Sequence, residues 1–423
     1  MHLHIAFHDH RMHKHETQAI AACLGENPDV RFPRLSDAPI PAAANSGVRC
    51  QALALAGKPV RGDRLTMERV IAFVGCRTTR ERNGKGTGLC VYEVCPSGAW
   101  RHLQTLAPLT NPSFLAVNRT QDRLYAVHGD QNEVSSYRID PESGFLSPLN
   151  LQTGVGRNPV HLEFTRDGST LVIAGYATGS LSCVPIAADG SLEAPSRLVM
   201  LEGRAGSHRI EQVSSHPHQV SRYVTRKVNS DWHIVPDKGL DTVFAVKWLA
   251  DGTSLVHGTR TREGAGPRHA AFHPEWPFVY VVNELDSTLT TWSLDTATGR
   301  LEAVDTIPVI PRNYHGSTRA AGIEISADGS AVYITNRGHD TIARLVLDKC
   351  TCLPTDIQWA STLGKHPRFL CIGPDGKTLY VANEDSHSIV QFSLETDFGL
   401  PVPTGRRVET GSPVCIVFAR IGQ

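Results

Sequence analysis

The chain carries no surplus of either charge: 42 acidic side chains balance 42 basic ones across 423 residues. A neutral total leaves no global field to attract nucleic acid or an anionic membrane, so neither is expected as a partner. Long hydrophobic runs are missing too. No apolar stretch approaches the roughly 18 residues of a membrane span, and the N-terminus lacks an apolar signal core. The ten cysteines form no paired framework and no Cys-x-x-Cys spacing. Cys90, Cys183, Cys371 and Cys415 fall at strand positions where a free thiol acts as a small hydrophobe, while Cys350 and Cys352 stand too close together for a bridge. A reduced, cytoplasmic protein is the expectation. Gly-x-Ser-x-Gly is absent, so no serine nucleophile is indicated. The acidic residues are too scattered to specify a metal cage, and neither a metal nor a cofactor is expected.

What is present is repetition. From about residue 111 a phrase recurs: a strand marked by proline, a glycine turn, an apolar strand ending in a polar cluster, then another strand. Pro267-Arg268-His269-Ala270-Ala271-Phe272 running to Val279-Tyr280-Val281-Val282-Asn283-Glu284 is a clear copy. His366-Pro367-Arg368-Phe369 running to Leu379-Tyr380-Val381-Ala382-Asn383-Glu384 is another. The anchors are Pro112, Pro159, Pro217, Pro267, Arg319-Ala320-Ala321, Pro367 and Pro413, about 46 to 58 residues apart. That step is one four-stranded blade with its loops, so the period predicts an all-β, seven-bladed β-propeller. Asp167-Gly168, Asp328-Gly329 and Asp375-Gly376 read as hairpin turns. Gly144, Asp189-Gly190, Asp251-Gly252 and Gly299 mark the turn before each last strand. Pro413 opens a final strand, Val414 to Phe418, with no sheet of its own. Val70–Val74 lacks an inner neighbour, so pairing the two ends is expected to close the ring and hide its edges. Residues 1–66, with six histidines and a Pro/Ala-rich stretch, lie outside the pattern. They read as a poorly ordered extension preceding a propeller at 67–423.

In a propeller, the loops entering each inner strand and leaving each second strand meet at one end of the channel. Aligning the copies makes two columns there. The first holds Ser113, Val160, His218, Arg268, Arg368 and Val414, with His161 and His269 one place on. The second holds Gly129, Tyr176, Lys238, Glu284, Arg337 and Glu384. Neither column supplies hydrophobic filling that would close the channel. Guanidinium forks facing one cleft suit an anionic substrate bearing carboxylate or phosphate. A glutamate or histidine among them can act as base or acid. Bland readings stand beside these. Glu284 and Arg268 form a structural ion pair in one, and either His216 or His218 merely bonds a backbone carbonyl in another. Asn283, Asn336 and Asn383 read as turn formers, and Asp237 shares their slot. The basic loop Arg77 to Gly86 reads as a solvated hairpin tip, or as a lid for a phosphate.

The phrases Asn158-Pro159-Val160-His161, His216-Pro217-His218-Gln219, Val235-Pro236-Asp237-Lys238-Gly239, Gly266-Pro267-Arg268-His269, Asn336-Arg337-Gly338-His339-Asp340 and Ala382-Asn383-Glu384 resemble the seven-bladed lactonase family. That family includes bacterial 6-phosphogluconolactonases and fungal carboxy-cis,cis-muconate cyclases. The similarity runs from about residue 68 to 420. It implies a catalytic His218, Arg268, Glu284 (16 positions after Arg268) and Arg337. Substrate contacts are then expected from His161, Tyr176, Asp237, Lys238, His269, His339, Arg368 and Glu384, with Arg368, Lys238 and His339 the candidates to grip a phosphate. In that reading His218, able to change charge near neutrality, carries the proton, Glu284 orients it or the water, and the arginines steady the oxyanion. Two departures from the family pattern stand out: the long stretch Ser221–His233 in place of a compact hairpin, and Gly322, with Glu324 beyond it, where many relatives have glutamate. The expected reaction is hydrolysis of an anionic sugar lactone, 6-phosphoglucono-lactone by resemblance. The alternatives are a lactonizing cycloisomerase and a non-catalytic, anion-binding propeller. The oligomeric state is open.

Overall fold

The computed structural model describes residues 68–249, 251–395 and 399–422. The extension expected at 1–66 lies outside the described residues. Seven four-stranded antiparallel sheets follow one another in chain order. The first blade joins Arg69–Cys76, Leu89–Val94 and Trp100–Leu106 to the last strand of the chain, Pro413–Ile421. Arg69 faces Ile421, Phe73 faces Val417 and Gly75 faces Cys415, with Cys76 shifting register at a bulge. The ring is therefore closed by its two ends, as the orphan strand required. The inner strands of the next blades begin at Pro112, Pro159, Pro267, Arg319 and Pro367. Proline is tolerated at those first positions because no ladder donor is needed there.

Period-two alternation explains the packing. On Arg69–Cys76, Ile71 and Phe73 pack with Leu115 and Leu124 of the second blade, whereas Ala72 and Val74 pack with Tyr380 and Ile389 of the seventh. Each blade thus has a neighbour on both faces, and a middle strand reads as a continuous apolar run, not an alternating one. Seven buried clusters result, one at every interface between adjacent blades. Turn chemistry follows the sequence. At Asp328-Gly329 the carboxylate accepts from Ser330 N at 3.0 Å, and Gly329 adopts φ +73°. Gly299, at φ +77°, also leaves room for its neighbour: a Cβ there would lie 2.5 Å from the buried Trp232 ring.

The fourth blade departs from the others. Its inner strand is cut to Ser221–Val224, and Pro217 makes only an isolated bridge to Asp237. The long stretch after Ser221 becomes a hairpin whose second arm, Asn229–Asp237, carries the buried Trp232. Asn283, Asn336 and Asn383 are not turn formers. They are fully buried and none has positive φ: Asn336 Nδ2 donates to Val309 O at 2.8 Å and Asn383 Nδ2 to Thr362 O at 3.2 Å, bracing loops, while Asn283 Nδ2 donates to the Thr288 and Thr290 hydroxyls of the next strand at 2.8 and 3.0 Å.

Candidate active site at the channel mouth

Among the described residues, one carboxylate collects most of the positive charge. Glu284 directly follows the second strand of the fifth blade, Phe278–Asn283, and is buried. Its Oε1 accepts from Lys238 Nζ at 2.8 Å and stands 3.5 Å from Arg319 Nη1. Its Oε2 pairs with Arg268 Nε at 2.9 Å and with Arg337 Nη2 at 3.1 Å, as ion pairs instead of directed hydrogen bonds. Burial alone would raise its pKa, but Arg337, Lys238 and Arg268 outweigh it and hold the carboxyl well below its ordinary value. Glu284 is ionised, and its charge is engaged by these cations.

A β-bulge aims the two buried arginines. Register slips between Ala320 and Ile323 in the sixth blade, freeing the Ala320 and Ala321 carbonyls. Arg268 Nη1 donates to Ala321 O at 2.6 Å and Arg337 Nη2 to Ala320 O at 3.2 Å. The same bulge explains Gly322, because a Cβ there would lie 2.4 Å from Leu370 Cδ2. Glu324, two residues on, is not part of this cluster; burial pushes its carboxyl up to about 8.

A second carboxylate enters from the long loop before the fourth blade. Glu211 bridges Lys238 Nζ and Arg319 Nη1, each at 2.7 Å. Gln212 pins that loop by donating to Lys238 O at 2.8 Å and Asp241 Oδ1 at 2.6 Å. Lys238 is therefore committed to two carboxylates and does not offer the free ammonium expected of a phosphate grip.

The histidines line up as rings. His216 Nδ1 meets Tyr176 O at 2.9 Å and its ring stacks on Tyr176, so His216 is the structural member of the pair. His218 meets Tyr176 edge-on at 5.5 Å and His269 at 5.2 Å, with Nδ1 unpartnered. Burial, then the charge of Arg268, drives its pKa well below the ordinary value. His218 is thus neutral at pH 7 and does not titrate near neutrality as expected. Rings also meet across the axis. His161 of the third blade faces His269 of the fifth at 6.1 Å, and Phe114 of the second faces Phe369 of the seventh at 6.3 Å. These blades are not adjacent, so the contacts span the channel and give the site an apolar floor that the columns did not anticipate. His161 rests on Phe114 at 3.8 Å, and burial lowers its pKa to about 3.

A cavity of about 230 Å³ opens above this floor, lined among others by Tyr176, His218, Lys238, Glu284, Arg337 and Arg368. Arg268 reaches it through Glu284. Glu384 lies 3.8 Å from Arg368 Nε. Five expected contacts are not on its lining: His161 and His269 belong to the stacked rings, Glu384 stands behind Arg368, and Asp237 and His339 are engaged elsewhere. Asp237 is wholly buried and spends its carboxylate on the amides of His216, Gly239 and Leu240, an Asx-type clasp. His339 packs on Tyr314 at 4.5 Å and bonds Thr341 Oγ1 at 2.7 Å, away from the cavity lining. Five lining residues escaped the columns: Asn158, Glu211, Arg319, Arg77 and Arg82. Glu211 sits in an insertion without a repeat slot, whereas Arg319 occupies the anchor of its own copy, where proline was the guide. Arg77 and Arg82 belong to the basic loop read first as a solvated tip; Arg77 is in fact buried.

The family model for the seven-bladed β-propeller lactonases matches residues 71–418. The chain belongs to that family. This lactonase is 28% identical to the 6-phosphogluconolactonase of Bacillus subtilis over 83% of its own length and 99% of that protein. It is 31% identical to the one from Pectobacterium carotovorum, covering 72% of itself and 86% of the relative. Among solved structures, a candidate 6-phosphogluconolactonase from Bacteroides fragilis superposes with TM-score 0.74 at 26% identity, over 86% of this lactonase and all (100%) of that chain. A periplasmic gluconolactonase from Pseudomonas aeruginosa does so with TM-score 0.74 at 27% identity, over 83% and 99% respectively.

Proposed function

We propose that this lactonase hydrolyses an anionic sugar lactone of the 6-phosphoglucono-lactone type at the channel mouth. The observation that carries the reading is the buried Glu284 surrounded by Lys238, Arg268, Arg337 and Arg319, beside a neutral His218 with a free ring nitrogen. The relatives named 6-phosphogluconolactonase support the reaction class. A lactone carbonyl needs little more than an aimed water, a place for the proton and charge to meet the tetrahedral oxyanion.

His218 takes the proton from the attacking water. The imidazolium formed is steadied by Glu284, whose charge already acts to raise the His218 pKa against the effect of burial. The proton is then passed to the ring oxygen as the C–O bond opens. Arg337, on the cavity lining, faces the growing oxyanion, and Arg268 stands behind it on Glu284; a well-placed donor of this kind typically contributes about 3–4 kcal/mol. Glu284 acts as the anchor that permits several guanidinium groups to stay buried together. The eight cysteines among the described residues are all free thiols, which supports a reducing, cytoplasmic setting for this lactonase.

The test is acid release from 6-phosphoglucono-lactone, measured against spontaneous opening, for the parent and for Arg268→Ala. Parent acceleration and a fall in kcat of about 10²–10³-fold in the variant are expected. No acceleration by the parent removes the function. An Arg268→Ala enzyme as active as the parent removes the site.

A further inference from the structure

The cavity has a second cationic end that the chemistry at Glu284 does not use. Arg77 follows the first strand of the first blade and is 3% exposed; Ser113, on the second blade, is 7% exposed. Arg77 Nη1 and Ser113 Oγ are both buried with no hydrogen-bond partner. They gather over the bare backbone of Gly129: a Cβ at that position would stand 2.5 Å from Arg77 Nη1 and 3.0 Å from Ser113 Oγ. Buried donors are almost always satisfied, so two orphans pointing at one spot beside a cavity mark a place for an acceptor.

The nearest anion does not meet that need. Glu384 stands 4.0 Å from Arg77 Nε and 3.8 Å from Arg368 Nε, at ion-pair range without a hydrogen bond to either. Arg82 is held by Asp130, which Asn111 Nδ2 fixes in turn at 3.0 Å. Counting both ends, seven cations (Arg77, Arg82, Lys238, Arg268, Arg319, Arg337, Arg368) face four carboxylates (Asp130, Glu211, Glu284, Glu384). The excess of three positive charges is what a dianionic group plus a developing oxyanion would neutralise. A neutral sugar lactone would leave most of it uncompensated. Guanidinium forks with a hydroxyl suit a tetrahedral dianion such as a phosphate monoester.

We propose that Arg77 and Ser113, with Arg368, form the subsite for the phosphate monoester of a phosphorylated sugar lactone, making them the residues that select it over the unphosphorylated sugar. This assignment rests on the lactonase reading above. It turns the basic loop after Arg77 from a solvated tip into one wall of the site, and it assigns the phosphate to the blade-one side, away from Lys238.

The test compares kcat/KM for 6-phosphoglucono-lactone and for glucono-lactone in the parent and in Arg77→Lys, Ser113→Ala and Gly129→Ala. Inorganic phosphate serves as competitor. The parent is expected to prefer the phosphorylated lactone. Arg77→Lys keeps the charge but loses the fork, and Gly129→Ala pushes a methyl onto Nη1. Each should raise KM for the phosphorylated lactone about tenfold or more, with a much smaller change for glucono-lactone, and should weaken inhibition by phosphate. Ser113→Ala, which removes one hydroxyl and adds no volume, should do so by several-fold. Equal losses on both lactones, or phosphate inhibition unchanged in all three variants, overturn the subsite. A parent that opens both lactones with equal efficiency overturns the subsite but leaves the lactonase standing. A parent that opens neither overturns the lactonase reading itself.

Discussion

Removing the Glu284 charge should cost far more than removing any one of its partners. At about 4 Å and an effective dielectric near 20, one charge pair has a gross attraction of about 4 kcal/mol. Glu284 makes such pairs with Lys238, Arg268 and Arg337, and a more exposed, solvent-screened one with Arg319. Desolvation of each ion offsets much of that gross sum, and breaking a buried pair typically costs about 3–5 kcal/mol net. Glu284→Gln keeps the shape but strands several buried cations beside one another, so the upper part of that range applies. In a propeller of this size a kilocalorie moves Tm by about 2 °C, giving a drop of roughly 8–10 °C. Arg337→Gln leaves Glu284 with three cations and relieves the repulsion that Arg337 exerts on Arg268. Its cost should stay within about 1 kcal/mol, a threshold far below the cost at Glu284. The pH dependence has a definite sign. Glu284 has a depressed folded-state pKa, so its contribution is complete above the unfolded value of about 4.3 and is lost as pH falls through the folded one. Calorimetric melts of parent and Glu284→Gln should therefore run parallel from pH 5 to 8 and converge only below about pH 4. Equal losses in Glu284→Gln and Arg337→Gln, or a Glu284→Gln protein melting at or above the parent, would refute the reasoning.

Two further outcomes follow from the geometry. Because burial holds His218 neutral, kcat/KM for glucono-lactone, which carries no titrating phosphate, should show no fall between pH 7 and 6, the range where an ordinary histidine titrates, and His218→Asn should lower kcat about 10²-fold or more; a protonation limb near 6.5 in that profile would count against His218 as the proton carrier. Deleting residues 413–423 removes the partner of Arg69–Cys76 and bares an apolar edge, so the truncated chain should elute as aggregate in size-exclusion chromatography; a monodisperse truncated protein with an unchanged melt would show that closure by the last strand is dispensable.

Most of the architecture was legible along the chain. Each blade depends on neighbours in sequence: a proline that opens a strand, an Asp-Gly that turns it, an apolar run with blades on both faces. The closure was legible for the same reason, since a strand such as Val414–Phe418 cannot remain unpaired. Repetition also aligned His218, Arg268, Glu284 and Arg337, because equivalent slots in a ring point to one mouth.

Irregular features were not legible. The slips in register on the inner strands, at Ala321 and Gly322 and just after Pro112, Pro159, Pro267 and Pro367, were read along the chain as plain strand. Glu211 and Arg77 reach the cavity from loops whose lengths occur once in the chain. Asp237 and Lys238 sit side by side in a promising column, yet one ties a loop together and the other is held by two carboxylates. Local residues decide that a ring of seven sheets forms and which end collects the loops. Only the assembled ring decides which charges meet, how dry they are and which remain unpaired, because those contacts join blades far apart in the chain and their strength depends on the water excluded around them.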